Sequence, residues 1–128
     1  MTVVYDPDGR LDAELGLPLD RDPHMRLVRA AISWTSSTTL QPRDGDQIAL
    51  QLTGHARVVA AEVRRRCADL PSDAEPRVLA EAVLEEADRR LAQPRLGTLR
   101  CVQMRARQVR ALYERLDRLD KVTPVRAQ

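Results

Sequence analysis

The chain has 128 residues, a length that suits one domain with a single hydrophobic core. Hydrophobic residues make up 43% and charged residues 31% of it, a balance that excludes an intrinsically disordered chain. The formal charge is only +2, because 21 basic side chains are interleaved with 19 acidic ones. Aromatic residues contribute 2%, so the core must consist of Leu, Val, Ile and Ala, which favours an all-α fold.

Residues 1–22 carry Asp-Pro, Asp-Gly and Leu-Pro pairs, which are typical of turns and predict an irregular N-terminal arm. The first sixteen residues contain five charged side chains, so we expect no secretory signal. Together with two cysteines, Cys67 and Cys101, this predicts a cytoplasmic protein with free thiols. No stretch approaches the roughly 18 uncharged apolar residues that span a bilayer, so membrane insertion is excluded.

Asp22-Pro23 predicts an N-cap and first-turn proline for a short first helix that ends near Ser36. A loop through Pro42 and Gly45 follows. From Asp44 or Asp46, apolar residues then recur at steps of three and four as far as Leu70, and predict a helix of about seven turns.

Pro71 ends the second helix, and Ser72 to Glu75 resembles a capping box for the third. The third apolar stripe consists of Leu79, Val83, Ala87 and Leu91, flanked by Ala80 and Leu84. Thr98 is the predicted cap of a fourth helix, whose stripe includes Val102, Ala106, Val109, Leu112, Tyr113, Leu116 and Leu119. We therefore predict an antiparallel helical bundle over residues 23–122, with three long helices, one short one and a tail at 123–128.

Four polar residues of the second helix lie along its apolar sector: Gln51, His55, Glu62 and Arg66. Buried polar groups need partners, because an unpaired one costs about 1 to 3 kcal/mol. The line is a candidate binding site, or else a structural hydrogen-bond network in which Glu62 and Arg66 form an ion pair one turn apart.

Arg105 lies between apolar residues of the fourth helix and is predicted to point inward. A buried arginine pairs with a carboxylate, and Glu62 is the expected partner, with Glu86 or Asp120 as substitutes. If no protein carboxylate is available, Arg105 and Arg66 would instead hold an anionic ligand.

Gly54 interrupts the second helix and costs roughly 1 kcal/mol relative to alanine there. The usual compensation is the close approach of another group, and Trp34 or Tyr113 is the expected neighbour. Trp34 and Tyr113 therefore join the candidate ligand-binding or partner-binding residues.

We predict no catalytic residue, no metal site and no cofactor. No two of the residues His24, His55, Cys67 and Cys101 have the close spacing of a metal site. Glu62 and His55 are two helical turns apart, about 10 Å, so acid–base chemistry would need a substrate that lies along the helix. The run Arg64-Arg65-Arg66 is typical of a solvated face, and nucleic-acid binding is not favoured.

Several short segments carry a resemblance to a known group of proteins. They are Leu52-Thr53-Gly54-His55, Glu62-Val63, Leu70-Pro71, Ala87 to Leu91 and Ala106 to Leu112. Together they resemble an actinobacterial family of small helical proteins, common in Streptomyces, that carries the label "natural product biosynthesis protein". The resemblance covers about residues 48–119. It implies a helical fold and a biosynthetic setting, and it assigns no mechanism.

The leading functional prediction is a non-catalytic binding or accessory protein. It would act through a protein partner, through self-association as a homodimer, or through a small-molecule ligand near the candidate residues. One alternative is a small biosynthetic enzyme that uses Glu62 and His55 for acid–base chemistry. A second alternative is a DNA-associated regulator that uses the arginines of the fourth helix.

Overall fold

The computed structural model describes residues 21–35 and 40–122, and over these residues the protein is an all-α bundle, as predicted. Its helices are α1 (Arg21–Ser33), α2 (Pro42–Ala68), α3 (Glu75–Leu91) and α4 (Leu99–Val122). The predicted tail and residues 1–20 of the predicted arm lie outside the described residues, whereas Arg21 and Asp22 belong to α1. None of these helices combines the length and apolar character that crossing a bilayer requires.

Consecutive long helices run antiparallel, which leaves α2 and α4 parallel to each other. Thr53 of α2 contacts Arg105 of α4, and further along both helices Arg66 forms an ion pair with Asp120. Helix α4 packs against all three other helices and most extensively against α2. The parallel pair α2 and α4 is therefore the centre of the bundle, and α1 and α3 pack on it.

Helix α1 runs antiparallel to α4. Arg21 at its start bonds Asp117 near the end of α4, while Gln103 near the start of α4 donates to the backbone carbonyl of Trp34, 2.8 Å away. Helix α1 ends at Ser33, earlier than the predicted Ser36, which lies outside the described residues. Val28 and Ala31 are its fully buried residues.

The core is aliphatic, as the low aromatic content predicts, and Tyr113 is its one large ring among the described residues. Helices α2 and α4 supply most of it: Ala49, Leu52, Ala56, Val59, Ala60, Val63, Val102, Ala106, Val109, Leu112, Leu116 and Leu119. Trp34 is half-buried and packs against this core from outside.

The buried face of α3 differs from the predicted stripe. Ala80, Leu84, Ala87 and Leu91 are buried, whereas Leu79 is 46% exposed and Val83 is only half-buried. The prediction is therefore confirmed for Ala87 and Leu91 and for the flanking Ala80 and Leu84, and it is wrong for Leu79 and Val83. Ala80 and Ala87 are fully buried, so two small side chains form part of the face that α3 packs on the bundle.

The start of α2 also differs from the prediction, because Pro42 and Gly45 belong to the helix rather than to a loop. Pro42 occupies the first turn, where its missing N–H costs nothing, and Gln41 is the N-cap. Gly45 is buried, and a Cβ there would overlap the carbonyl oxygen of Gly97 in the α3–α4 connection. A close backbone contact therefore joins the first turn of α2 to this connection.

The predicted capping box of α3 does not form. The N-cap is Ala74, which has no side-chain cap, although Pro76 lies in the first turn as predicted. The predicted cap of α4 is confirmed, since the backbone N–H of Cys101 donates to Thr98 Oγ1 at 3.2 Å. This capping bond holds the end of the α3–α4 connection on the helix that follows it.

Candidate functional site

One buried polar cluster joins α1, α2 and α4 and contains two of the predicted site residues. His55 Nε2 and the Tyr113 hydroxyl share a hydrogen bond of 2.5 Å, and the rings of His24 and His55 stack with centroids 3.7 Å apart. His55 is 6% exposed and Tyr113 is 1% exposed. We call His24, His55 and Tyr113, with Arg21 and Asp117 at their edge, the histidine cluster.

The electrostatics of the histidine cluster keep His55 uncharged. Burial, and to a lesser extent the nearby ring of His24, lower the pKa of His55 from 6.5 to about 3. A neutral imidazole that is buried, stacked and hydrogen-bonded already has its partners inside the protein. The arrangement therefore suits a structural role between three helices.

An ion pair lies at the edge of the histidine cluster. Arg21 donates two hydrogen bonds of 2.7 Å to the two carboxylate oxygens of Asp117. The Arg21 guanidinium also lies over the Tyr113 ring, 4.5 Å from its centroid. This pairing lowers the pKa of Asp117 and raises that of Arg21. Neither Arg21 nor Asp117 is among the residues predicted from the sequence, although Tyr113 and Asp117 are one helical turn apart.

Arg105 is buried, as predicted, but its predicted carboxylate partners are wrong. It is 1% exposed, and its Nε donates to Thr53 Oγ1 at 2.7 Å. One terminal nitrogen donates to Cys101 Sγ at 3.2 Å and the other to the Gln93 carbonyl at 2.8 Å. No carboxylate of the described chain bonds to this guanidinium. We call Arg105, Thr53, Gln93 and Cys101 the arginine cluster.

Glu62, Glu86 and Asp120, the carboxylates considered for Arg105, form other ion pairs. Glu62 bonds Arg66 and Arg65, each at 3.2 Å, and Asp120 pairs with Arg66. Glu86 pairs with Arg89 and Arg90 on its own helix. The ion pair of Glu62 with Arg66 confirms one part of the predicted network.

The predicted polar line along α2 does not form a single site. Gln51 is exposed, so its predicted inward position is wrong. Glu62 and Arg66 are partly exposed at the far end of the helix, and of the line only His55 is buried. Thr53 instead lies in the buried face of α2 beside His55. Its hydroxyl accepts the hydrogen bond from Arg105 of α4 that was expected of Glu62.

Two remaining expectations concern Trp34 and Gly54. Trp34 is half-buried. Its backbone carbonyl, rather than its ring, accepts a hydrogen bond from the Gln103 side chain. Gly54 is half-buried, and its packing against Trp34 or Tyr113 stays a prediction. Within the described residues, the glycine of α2 that has a close backbone contact is Gly45, which lies against Gly97.

A cavity of about 730 Å³ lies where α3 passes into α4, which we call the α3–α4 cavity. Its volume falls within the range of ordinary ligand pockets, about 300 to 1,000 Å³. Three arginines line it, Arg90, Arg100 and Arg107, and its apolar wall includes Leu96 and Met104. None of its described lining residues is acidic. Sequence reasoning missed this cavity, although Arg100, Met104 and Arg107 follow the spacing of one helical face.

The arginine cluster forms the back of the α3–α4 cavity. Gln93 and Cys101 line the cavity and both accept hydrogen bonds from Arg105. The Cys101 sulfur also accepts a hydrogen bond of 3.3 Å from the backbone N–H of Leu96. Burial lowers the pKa of Arg105, and the nearby positive charges of Arg95 and Arg57 act in the same direction.

A second cavity, of about 440 Å³, lies between α2 and α3 and has a different character. It is lined by both signs of charge, and Arg64 and Asp88 in its wall form an ion pair at 2.8 Å. Cys67 lies in its wall, and burial raises the pKa of that thiol. Two arginines and three acidic residues line this cavity, so its wall does not favour an anion.

Comparison with known proteins yields one family. The model of DUF6415, described as a family of unknown function, matches residues 24–121 of this chain. The match covers all but the first three residues of α1 and the final residue of α4. No curated protein and no solved structure shows significant similarity to the chain.

Proposed function

Because the chain belongs to DUF6415, a family of unknown function, we propose its function from the site alone: a non-catalytic accessory protein that binds a small molecule in the α3–α4 cavity. The observation that carries this proposal is the cavity itself, which has an apolar wall of Leu96 and Met104 beside several polar side chains. Such a mixture is typical of small-molecule sites.

The walls of the α3–α4 cavity are held in place without a ligand. Arg105 bonds the Gln93 carbonyl on one side, and Thr98 caps α4 on the other. Gly97 contacts the first turn of α2 between them. A preformed site loses less entropy on binding than one that must first become ordered, which supports a binding role for this connection.

The alternative of an enzyme that uses Glu62 and His55 is less well supported. Glu62 is engaged by Arg65 and Arg66, and His55 is buried and bonded to Tyr113. The low pKa of His55, about 3, leaves it unsuited to exchange protons near neutral pH.

The alternative of a DNA-associated regulator uses the arginines of the fourth helix, and the run Arg64-Arg65-Arg66 on α2 adds little to such a surface. Arg64 pairs with Asp88, and both Arg65 and Arg66 pair with Glu62. Arginines that are already paired with carboxylates release fewer counterions on binding phosphate, so this run is a weak DNA-binding surface.

A cytoplasmic location agrees with the two free cysteines. The link to natural product biosynthesis is supported by the sequence resemblance alone.

Self-association as a homodimer is a second candidate role, favoured by the exposed apolar residues Val78 and Leu79 on α3, 52% and 46% exposed. Sedimentation of the wild type beside Leu79→Glu tests it, since a dimer through this face would dissociate in the variant.

A matched pair of tryptophan substitutions tests the binding proposal. Gln108→Trp places a large ring in the α3–α4 cavity, whereas Gln51→Trp places the same ring on an exposed face of α2. A fragment library that contains neutral and charged compounds is screened by amide chemical-shift changes. We expect fragments to perturb cavity residues in the wild type and in Gln51→Trp, and to lose this binding in Gln108→Trp. Equal binding in both variants would contradict the proposal.

A further inference from the structure

The α3–α4 cavity has a chemical preference that the binding proposal alone does not specify. Arg100 and Arg107 line it seven residues apart on α4, so they project from the same helical face. Both are exposed, and neither forms an ion pair within the described part of the chain. The third lining arginine, Arg90, already pairs with Glu86. Two cationic side chains therefore line the cavity without a carboxylate.

The buried guanidinium of Arg105, behind the cavity, also favours an anionic ligand. Arg105 is 1% exposed, and its described partners are a hydroxyl, a thiol and a carbonyl, all neutral groups in their ordinary forms. A buried arginine normally pairs with a carboxylate, because the uncompensated charge is costly. Two of these partners, Gln93 and Cys101, form the wall between the guanidinium and the cavity. An anion in the cavity would provide compensating charge at short range.

The backbone adds a third positive element. The first turn of α4, from Leu99, borders the cavity through Thr98, Arg100 and Cys101. The N-terminus of a helix carries a partial positive charge and favours anions. Helix α4 has no acidic residue in this turn to satisfy that charge.

The remaining wall is apolar. Pro94, Leu96 and Met104 line the cavity, and Leu96 is 56% exposed. An inorganic ion would leave these side chains in water. A ligand with an apolar body would cover them and bury the exposed surface of Leu96.

We propose that the α3–α4 cavity binds an organic anion, with its carboxylate or phosphate group at Arg100 and Arg107 and its apolar body against Leu96 and Met104. This inference rests on the proposed binding function and specifies its ligand class. Carboxylates and phosphates both accept paired hydrogen bonds from a guanidinium, so both head groups fit the arginines.

Four probes test the inference: octanoate, octyl phosphate, octanamide and inorganic phosphate. Titration calorimetry at low salt measures the affinity of each for the full chain. We expect octanoate or octyl phosphate to bind at least about tenfold more tightly than neutral octanamide, a ratio that corresponds to one good charge-assisted contact. The comparison of octanoate with octyl phosphate identifies the preferred head group, and inorganic phosphate reports binding without an apolar body.

Paired arginine substitutions locate the effect. Arg100→Gln with Arg107→Gln should weaken the better anionic probe by at least about tenfold. The control, Arg26→Gln with Arg29→Gln, removes the same charge from exposed positions on α1, a helix that does not pack on α3, and should change the affinity less than about twofold. All four positions are exposed, and circular dichroism verifies that each variant is folded.

The outcomes separate this inference from the proposed function. Octanamide that binds as tightly as the anions, at a site blocked by Gln108→Trp, would overturn the anion preference and leave small-molecule binding standing. An equal loss in the cavity and control variants would also overturn it, because the attraction would then come from overall charge. Binding of none of the four probes would overturn the organic-anion inference, whereas the fragment screen decides the binding proposal separately.

Discussion

The histidine cluster and the arginine cluster are both buried polar groups that connect α2 to α4, yet they differ in the charge of their central residue. His55 is kept neutral, with a pKa of about 3, and its ring is covered by His24 and bonded to Tyr113. Arg105 has only neutral partners, and it lies behind an open cavity. The first arrangement is closed and structural, whereas the second leaves positive charge next to a space that a ligand can enter.

The largest expected effect is that of Arg105→Ala. The substitution opens a space in the core and leaves the Gln93 carbonyl and the Thr53 hydroxyl without their donor. We expect a loss of about 3 to 5 kcal/mol in the free energy of unfolding, measured in urea. Arg107→Ala, at an exposed position on the same helix, should cost less than about 0.5 kcal/mol. Similar losses in both variants would contradict the structural role of Arg105.

The histidine cluster predicts a dependence of stability on pH. His55 of the unfolded chain takes up a proton as the pH falls below 6.5, but folded His55 does so only near 3. Protons therefore bind preferentially to the unfolded chain in this interval, and stability decreases as the pH falls. Between pH 7 and pH 5 we expect a loss of about 2 kcal/mol in the free energy of unfolding, taken as an upper estimate.

His55→Gln separates this effect from the general effect of acid. Glutamine can keep a hydrogen bond to Tyr113 but does not titrate, so the loss between pH 7 and pH 5 should largely disappear. His24→Gln is the matched control and should keep most of the loss, because His55 and its hydrogen bond to Tyr113 remain. An unchanged pH dependence in His55→Gln would show that the effect lies elsewhere in the molecule.

Substitutions of two glycines on α2 test what holds the α3–α4 connection in place. A Cβ at Gly45 would overlap the backbone carbonyl of Gly97, so Gly45→Ala must displace the connection. We expect a loss of about 1 to 3 kcal/mol. Gly54→Ala, in the half-buried middle of the same helix, should change stability by less than about 1 kcal/mol. A larger loss at Gly54 would favour its predicted packing against Trp34 or Tyr113.

The smallest expected effect concerns the edge of the histidine cluster. Asp117→Asn removes the ion pair with Arg21, whose side chains are 42% and 45% exposed. Because water and salt screen such a pair, we expect a loss of only about 0.2 to 1 kcal/mol by thermal unfolding. A loss as large as that of Arg105→Ala would mean that this ion pair, rather than the buried rings, holds α1 to α4.

Much of the fold followed from the period of the apolar residues. The steps of three and four predicted all four helices and the inward positions of His55 and Arg105, and the capping residue type predicted the Thr98 cap. Periodicity was less accurate for α3, where the contrast between apolar and polar faces is weak. The start of α2 is also misplaced by the sequence pattern, because Pro42 fits a loop as well as the first turn of a helix.

The candidate site was harder to predict, because its contacts depend on how the helices meet. A helical wheel placed Arg105 inside, but it could not show that a loop carbonyl, from Gln93, would accept its hydrogen bond. The α3–α4 cavity depends on the path of residues 92–98, which the contact between Gly45 and Gly97 determines. Neither glycine has a side chain that could signal such a contact in the sequence pattern.

The most direct test of the contrast between the two clusters is one amide chemical-shift map with octanoate and octyl phosphate. Our account predicts that either probe perturbs residues of the α3–α4 cavity, such as Leu96 and Cys101, and leaves His55 and Tyr113 unchanged. Perturbations that centre on His55 and Tyr113, with the cavity residues unchanged, would contradict the account and make the histidine cluster the ligand site.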